Sequence, residues 1–355
     1  MTDYNFKISL SPMEDYFFGG ERTFGELSDQ EGRNYFAYSN QYPQQTSLLG
    51  LLRYWLLVCN DCLPIEQNRE LASSLIGNQS FSPQISEQPQ NFGVIKKISP
   101  LLLQAGNTTY RFAHGLSTHQ LRWQSGGSCY VAGTRTEVVP EIVGYDPKEE
   151  NPMILIGDQG ESRALKEIFN SHFQIGIKKG SDKQGFFKQQ FYRLEKGARF
   201  VVYAHIDTRS DSRGDMVPTK LQDQIVFFGG EQRQFQVEVA QCSEDNGYPF
   251  GQSGTGDKFT LLSDAVVSSG IFQHCEFALS EIQEFRVGLF NADGFGFGGK
   301  SQKYNLLRRG SVLFAKNPAT AIELKKLLDA PVNFRQIGFN HYFQEIYHKQ
   351  DGKNK

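Results

Sequence analysis

The sequence predicts an α+β protein built mainly on antiparallel sheet. Short runs rich in β-branched and aromatic residues recur between turn signals, while few stretches carry a helical period. No regular alternation of strand, helix and strand links them, which argues against a parallel doubly wound sheet. At 355 residues, with 13% aromatic side chains, the chain is long enough for two domains and a substantial core. The formal net charge of −2 means that any polyanion must meet a local patch rather than a basic surface. The five cysteines form no even framework, and MTDYNFKISL lacks a signal-peptide core. The longest apolar stretch, Leu48 to Cys59, is broken by Arg53 and too short for a bilayer. These features predict a soluble, cytoplasmic protein with no membrane contact.

The elements follow in order. Asn5 to Leu10 alternates as a half-buried strand should, and a loop is expected through Pro12 and Gly19-Gly20. Thr46 or Ser47 can cap a helix whose Leu48, Leu52, Trp55 and Cys59 share one face, with Gly50 and Arg53 off that face. Gly77 to Asn91, rich in Gln, Asn, Ser and Pro, reads as a surface insertion without its own core. Short strands are expected from Tyr110 to Ala132 and at Met153 to Gly157, then a helix from Ser162 through Phe169. Arg199 to Ile206, Gln224 to Phe228 and Gln234 to Ala240 read as strands. Phe259 to Val267 is expected to be helical, and Phe285 to Phe290 and Ser311 to Ala315 extended. Asn317-Pro318 opens the best-signalled helix, with Leu324, Leu327 and Leu328 facing inward.

Several motifs imitate chemistry that their context denies. Gly294 to Ser301 (GFGFGGKS) fits both a nucleotide-binding phosphate loop and a dinucleotide fingerprint. A true phosphate loop needs a following helix and a later strand ending in a metal-binding Asp. Only 54 residues (355 − 301) follow Ser301, and no apolar strand among them ends that way. A glycine-rich loop beside Lys300, Lys303, Arg308 and Arg309 can still hold a polynucleotide backbone. Cys59-Asn60-Asp61-Cys62 has redox spacing but closes a helix, where no dipole lowers a thiol pKa. No second pair completes a zinc site, so the cysteines read as structural. The histidines match no metal-binding or nucleophile-elbow pattern. No cofactor and no catalytic constellation are expected.

Two features point to RNA. Phe227-Phe228-Gly229-Gly230-Glu231-Gln232-Arg233 nearly repeats Phe17-Phe18-Gly19-Gly20-Glu21-Arg22. Paired glycines let backbone N–H groups approach phosphate oxygens, and an arginine adds a cationic fork. Tight hairpin turns or a chance repeat are the alternatives. The second feature is Ile175 to Phe200. Its Lys178, Lys179, Lys183, Lys188, Arg193, Lys196 and Arg199 face only Asp182 and Glu195, a local charge of +5. Phe186, Phe187, Phe191 and Tyr192 are interleaved, and glycines at 180 and 185 make a turn. A long hairpin with a basic, aromatic tip suits single-stranded nucleic acid. The other reading is a solvated hairpin whose aromatics return to the core.

In this order the pieces resemble the third-subunit family of Cmr complexes, the type III-B CRISPR–Cas effectors, within the repeat-associated mysterious protein (RAMP) superfamily. The likeness rests on Ser11 to Gly20 (SPMEDYFFGG), Thr46 to Arg53 (TSLLGLLR), the Ile175-Gly176-Ile177 hairpin, Phe228 to Arg233 and Arg309 to Phe314 (RGSVLF). The resemblance implies two ferredoxin-like (RNA-recognition-like) βαββαβ units with insertions and a protruding β-hairpin thumb. The first would span 1–222, with an insertion at about 60–130 and the thumb at about 175–200, and the second 223–355. It also implies a non-catalytic subunit that holds the 5′ handle of the guide RNA. The implied partners are the large polymerase-like subunit, the backbone subunits and, indirectly, target RNA. Carried onto this chain, the RNA contacts would be Ser47, Gly50, Arg53, Lys178, Lys179, Lys183, Phe186, Gly229, Gly230 and Arg233, while the residues themselves add Arg22 beside the first glycine pair and Lys300, Lys303 and Arg308 beside the later glycine-rich loop. The alternative is a metal-independent guide-processing endoribonuclease of the same superfamily, using His114, His119 or His205.

Overall fold

The computed structural model describes the chain except residues 1–3, 25–34, 79, 132–133, 147, 149, 151, 179–184, 208–221, 243–247, 251–254, 291–296 and 348–355. For some strand residues, Arg22, Lys178 and Lys300 among them, only the backbone is described. The chain opens with strands β1 (Phe6–Pro12), β2 (Phe18–Phe24) and β3 (Tyr35–Asn40), then helices α1 (Gln45–Cys59) and α2 (Arg69–Ile76). Next come β4 (Ile95–Ile98), β5 (Leu102–Ala105), β6 (Thr108–Ala113), β7 (Leu121–Val131), β8 (Thr134–Ile142) and β9 (Ile154–Gly157). After β10 (Ser162–Ala164) and the single turn α3 (Leu165–Ile168) stand β11 (Phe169–Lys178), β12 (Gly185–Leu194) and β13 (Ala198–Ile206). The next strands are β14 (Ile225–Phe227), β15 (Gln234–Gln241), β16 (Lys258–Leu261), β17 (Ala265–Val266), β18 (Cys275–Leu279), β19 (Ile282–Phe285) and β20 (Gly288–Phe290). The chain closes with β21 (Phe297–Lys300), β22 (Tyr304–Leu307), β23 (Val312–Ala315), α4 (Pro318–Asp329), α5 (Val332–Gln336) and β24 (Tyr342–Glu345).

The expected α+β class, mostly strands with few helices, is what the chain adopts. A nine-stranded sheet in the order β10-β9-β6-β5-β13-β1-β15-β14, with β4 also on β13, carries the first half. The hairpin β11–β12 heads a four-stranded sheet, β11-β12-β3-β2, in which β12 runs parallel to β3. In the second half, β18-β23-β16-β24 and β17-β22-β19 form smaller antiparallel sheets. The apolar face of α1, with Leu48, Leu52 and Trp55, packs in one core with Ile8, Phe200, Val202 and Val237. The same core reaches Phe285, Leu306, Phe334 and Phe339, so apolar packing is continuous across both halves. Among the described residues no helix is long and apolar enough to cross a membrane.

Local departures from the sequence reading each have a physical cause. Phe259 to Val267 is not a helix but β16, a turn and β17. Phe259 through Val266 is buried throughout, its polar Thr260, Ser263 and Asp264 included, so its apolar residues do not mark one face and the pattern does not tell strand from helix. Long-range bonds set the choice: Ser263 Oγ accepts from His341 N–H at 3.0 Å, and Val266 N–H donates to Asn340 Oδ1 at 2.9 Å. The helix expected from Ser162 shrinks to α3, flanked by β10 and β11, because both neighbours find ladder partners in β9 and β12. Gly19-Gly20 lies not in a loop but in β2, at an irregular step in its register with β3. A Cβ on Gly20 would sit 2.7 Å from the Tyr38 carbonyl oxygen, which explains the glycine. Helix α1 begins after Gln44, not at Thr46 or Ser47, since the Gln44 carbonyl already accepts from Ser47 and Leu48 N–H.

The polar stretch 77–91 is anchored rather than free. Phe81 is buried edge-on against Phe334 at 5.0 Å between ring centres. Asn333 Nδ2 donates to the Ser82 and Gln84 carbonyls at 2.6 and 2.7 Å. Backbone carbonyls saturated by a distant side chain leave no compositional trace, so this tie was invisible in the sequence.

Candidate nucleic-acid interface

The two Phe-Phe-Gly-Gly copies pack on each other. Phe18 and Phe228 meet edge-on at 5.2 Å, and Gly230 N–H donates to the Phe17 carbonyl at 2.8 Å. Gly229 takes φ of +86°, and a Cβ there would lie 2.6 Å from Phe17 O. Its glycine is therefore required by the fold as well as by the turn. Arg233, expected to present a free cationic fork, is engaged within the chain. Its Nη1 bonds Glu14 Oε2 at 2.9 Å, and its guanidinium lies 4.6 Å over the Phe191 ring. Asp15, next to Glu14, holds Arg193 Nε at 2.6 Å and His172 Nε2 at 2.8 Å. The Ser11 to Gly20 motif thus clamps the root of the β11–β12 hairpin to the glycine-rich loop.

Beside this clamp lies a polar cleft of about 520 Å³, lined by Gly19, Gly20, Asn40, Gln44, Arg286 and Arg308. It adjoins a further hollow of about 310 Å³ that shares Asn40, Gln44 and Arg308 and reaches Tyr42 and Tyr192. Three elements thus converge: the bulged glycine strand β2, the uncapped N-terminal end of α1 at Gln44, and the β19–β22 edge. Tyr192 brings the hairpin root to the same place. Arg308 Nη1 bonds Glu281 Oε2 at 2.6 Å, while its Nε is shielded from water without a hydrogen-bond partner. Burial disfavours its charge, but Tyr42 and Glu281 outweigh that and hold its pKa above the ordinary arginine value. Arg286 is exposed, and Lys303 pairs with Glu284 at the rim. The groove thus sets a permanently charged guanidinium beside two glycines.

The sequence-predicted residues divide clearly. Arg308 lines the cleft, Lys303 borders it, and Ser47 and Gly50 are exposed on α1, with open space around Gly50. Arg53 instead sends Nε and Nη2 to the Ile76 carbonyl at 3.0 and 2.7 Å, capping the C-terminus of α2. Burial lowers its pKa to about 10. Phe186 is exposed on the hairpin, whereas Lys179 and Lys183 lie outside the described residues. For Arg22, Lys178 and Lys300 the backbone alone is placed, in β2, β11 and β21. Asn40, Gln44 and Arg286 were missed, because isolated polar residues carry no periodic or motif signal.

The rejected motifs also resolve. Gly298 to Lys300 lies in β21 rather than opening a helix, and Ser301 Oγ is buried, accepting from Val287 N–H at 3.0 Å. Cys59 and Cys62 are buried free thiols, and no group of metal-ligating side chains occurs among the described residues. His114 Nδ1 accepts from Leu116 N–H at 3.1 Å, and burial lowers its pKa.

No curated protein sequence matches the chain. Solved structures do match, among them two of a type III-B Cmr-beta complex bound to cognate target RNA, the second also with AMPPnP. The first aligns over 95% of this chain and 96% of that one at 14% identity, with a TM-score of 0.51. The second covers 95% of each at 12% identity and a TM-score of 0.50. At such identities the likeness speaks for the fold. The model of the CRISPR-associated Cas_Cmr3 family matches residues 8–344. The chain therefore belongs to the Cas_Cmr3 family of CRISPR-associated proteins and is a Cmr3-type subunit.

Proposed function

We propose that this chain is a non-catalytic RNA-binding subunit of a type III-B effector complex. It holds the 5′ handle of the guide RNA, docks the large polymerase-like subunit and adjoins the backbone subunits. The observation that carries this reading is the cleft between β2, the start of α1 and β19, with Arg308 lining both it and the adjoining hollow. Helix α1 adds the partial positive charge of its N-terminus. The hairpin β11–β12, clamped at its root beside the cleft, would act as the thumb, with Phe186 and the lysines toward its tip meeting a splayed nucleotide. We further propose two ferredoxin-like units, 1–222 and 223–355. The antiparallel sheet β18-β23-β16-β24 with α4 against it supports the second.

The test is fluorescence anisotropy of the full chain, alone and with its large-subunit partner, against guide RNA bearing its 5′ handle or a scrambled one. Handle-dependent binding is expected, with a salt dependence that weakens in Arg308→Gln. Equal binding of both RNAs would overturn the handle reading. Metal-independent cleavage lost in His205→Ala would replace it with the endoribonuclease reading.

A further inference from the structure

The two faces of the sheet β11-β12-β3-β2 are unlike. Toward the clamp, Phe17, Ala37 and Phe191 are buried together, and Arg233 lies over the Phe191 ring. Side chains alternate along a strand, so Phe36 and Tyr38 of β3, Phe186 and Lys188 of β12, and Phe173, Ile175 and Ile177 of β11 share the opposite face. The register agrees, setting Lys188 between Phe36 and Ile175, with Ile177 opposite Phe186. On this face Tyr38, Phe173, Ile175, Ile177 and Phe186 are between 41 and 75% exposed. Phe36 meets Tyr38 edge-on at 4.1 Å and lies 5.6 Å from Phe173, ring centre to ring centre. The Lys188 ammonium stands 4.3 Å from the Phe173 ring centre and 5.4 Å from that of Phe36. Strands β3, β11 and β12 contain no acidic residue.

A bare apolar face of this extent marks a binding surface, and its composition narrows the occupant. Aromatic rings with a lysine among them suit successive nucleobases and the phosphates that join them, and strands without carboxylates spare those phosphates repulsion. A second copy of the chain, packed about a two-fold axis, would instead bring two such cationic faces together. Position points the same way. Asn40, two residues beyond Tyr38 on the same side of β3, lines both the cleft and the adjoining hollow, and Tyr192 at the hairpin root lines the hollow. Alternate residues of a strand stand roughly 6.6 Å apart, so the face leads in steps from Asn40 past Tyr38 and Phe36 toward Phe186 near the tip. We infer that this face is a stacking track for the RNA strand that leaves the cleft. Successive bases lie on Tyr38, on the Phe36–Phe173 pair and on Phe186, and Lys188 meets an intervening phosphate. Every base has a stacking face, so the track grips RNA without selecting sequence. The inference rests on the RNA reading of the cleft and adds a path for the strand beyond it.

Anisotropy and photocrosslinking on the full chain test it. The probes are handle RNA alone and handle RNA extended at its 3′ end by a short run of uridines or of adenosines. A further probe carries 5-iodouridine in the extension, which crosslinks to aromatic side chains on irradiation. Either extension should tighten binding about tenfold, a difference of about 1.4 kcal/mol. The double variant Tyr38→Ala/Phe173→Ala should lose that gain while binding handle RNA alone as before. Lys188→Gln should lower the salt slope for the extended RNA by about one. All three side chains are exposed, and thermal melting checks that the variants fold. Crosslinks in the unaltered chain need no variant and should map to Phe36, Tyr38, Phe173 or Phe186. An extension that adds nothing, a gain that survives in the double variant, or crosslinks confined to other residues would overturn the inference. A double variant that binds every RNA as before but no longer associates with the purified large or backbone subunit would overturn it in favour of a protein dock. Equal binding of true and scrambled handles, with the extension gain still lost in the double variant, would uphold the track and sink the handle reading instead.

Discussion

Arg309 is withdrawn from water and stacked 4.3 Å over Tyr42 and 5.2 Å over Phe112, while Arg308, one residue earlier, turns into the cleft. Arg309 is saturated on one side by Asp264, which accepts from its backbone N–H at 2.8 Å and from Nη2 at 3.2 Å. Arg308 pairs with a partly exposed Glu281, hydrogen-bonds Tyr42 and keeps an unbonded Nε. The same side chain is thus an internal strut in one place and part of a cleft wall in the next. Each keeps one donor shielded from water without a hydrogen-bond partner, Nη1 in Arg309 and Nε in Arg308, so what separates them is how deeply the side chain is buried. Arg309 also ties the halves together, since Tyr42 precedes α1 and Asp264 precedes β17.

The strut should be the more sensitive of the pair. Asp264→Ala strands a buried guanidinium, and chemical denaturation should show a loss of about 3–5 kcal/mol. Replacing both partners, as in Asp264→Leu/Arg309→Met, should recover much of that loss; failure to recover would mean that the pair specifies the join. A second buried group sharpens the contrast through pH. Burial, with Arg335 nearby, lowers the His341 pKa to about 3, despite the 3.1 Å contact of its Nε2 with the Arg335 carbonyl. The unfolded chain binds that proton near 6.5, so the unfolded state holds more protons between those values. Stability should therefore fall as pH drops below about 6.5, by at most about 1.4 kcal/mol per unit from this group. A His341→Gln variant should show a shallower pH slope; an identical slope would assign the effect elsewhere.

Smaller effects are expected nearer the cleft. Gly229→Ala meets both a positive φ and the Phe17 carbonyl, and should cost on the order of 1–3 kcal/mol in a melting experiment. Arg53→Met should loosen the end of α2 by about 1 kcal/mol without altering RNA affinity, because its donors are spent on Ile76. Arg308→Gln should leave stability within about 1 kcal/mol and lower the salt slope of RNA binding by about one. An Arg308 variant that melts as early as the Asp264 variant would erase the distinction between strut and cleft wall.

Some of the local chemistry was legible, although the cap read at Thr46 or Ser47 and the loop read at Gly19-Gly20 were not what the chain adopts. The alternating run Asn5 to Leu10 became β1, the runs read as strands at Arg199 to Ile206 and Gln234 to Ala240 became β13 and β15, and Asn317 accepts from Thr320 N–H at 3.0 Å at the start of α4. The basic segment paired as β11 and β12, and the ordered motifs pointed to the family. These features are set within a few residues, so composition and period suffice to reveal them. The tertiary structure decided everything that depends on distant partners. It made strands of Phe259 to Val267, bound the polar stretch 77–91 to Asn333, and spent Arg53 and Arg233 inside the chain. It also set Arg308 in the wall of a glycine-lined cleft. A side chain's chemistry follows from its own atoms, but whether its donors remain available depends on acceptors hundreds of residues away, which no local pattern encodes.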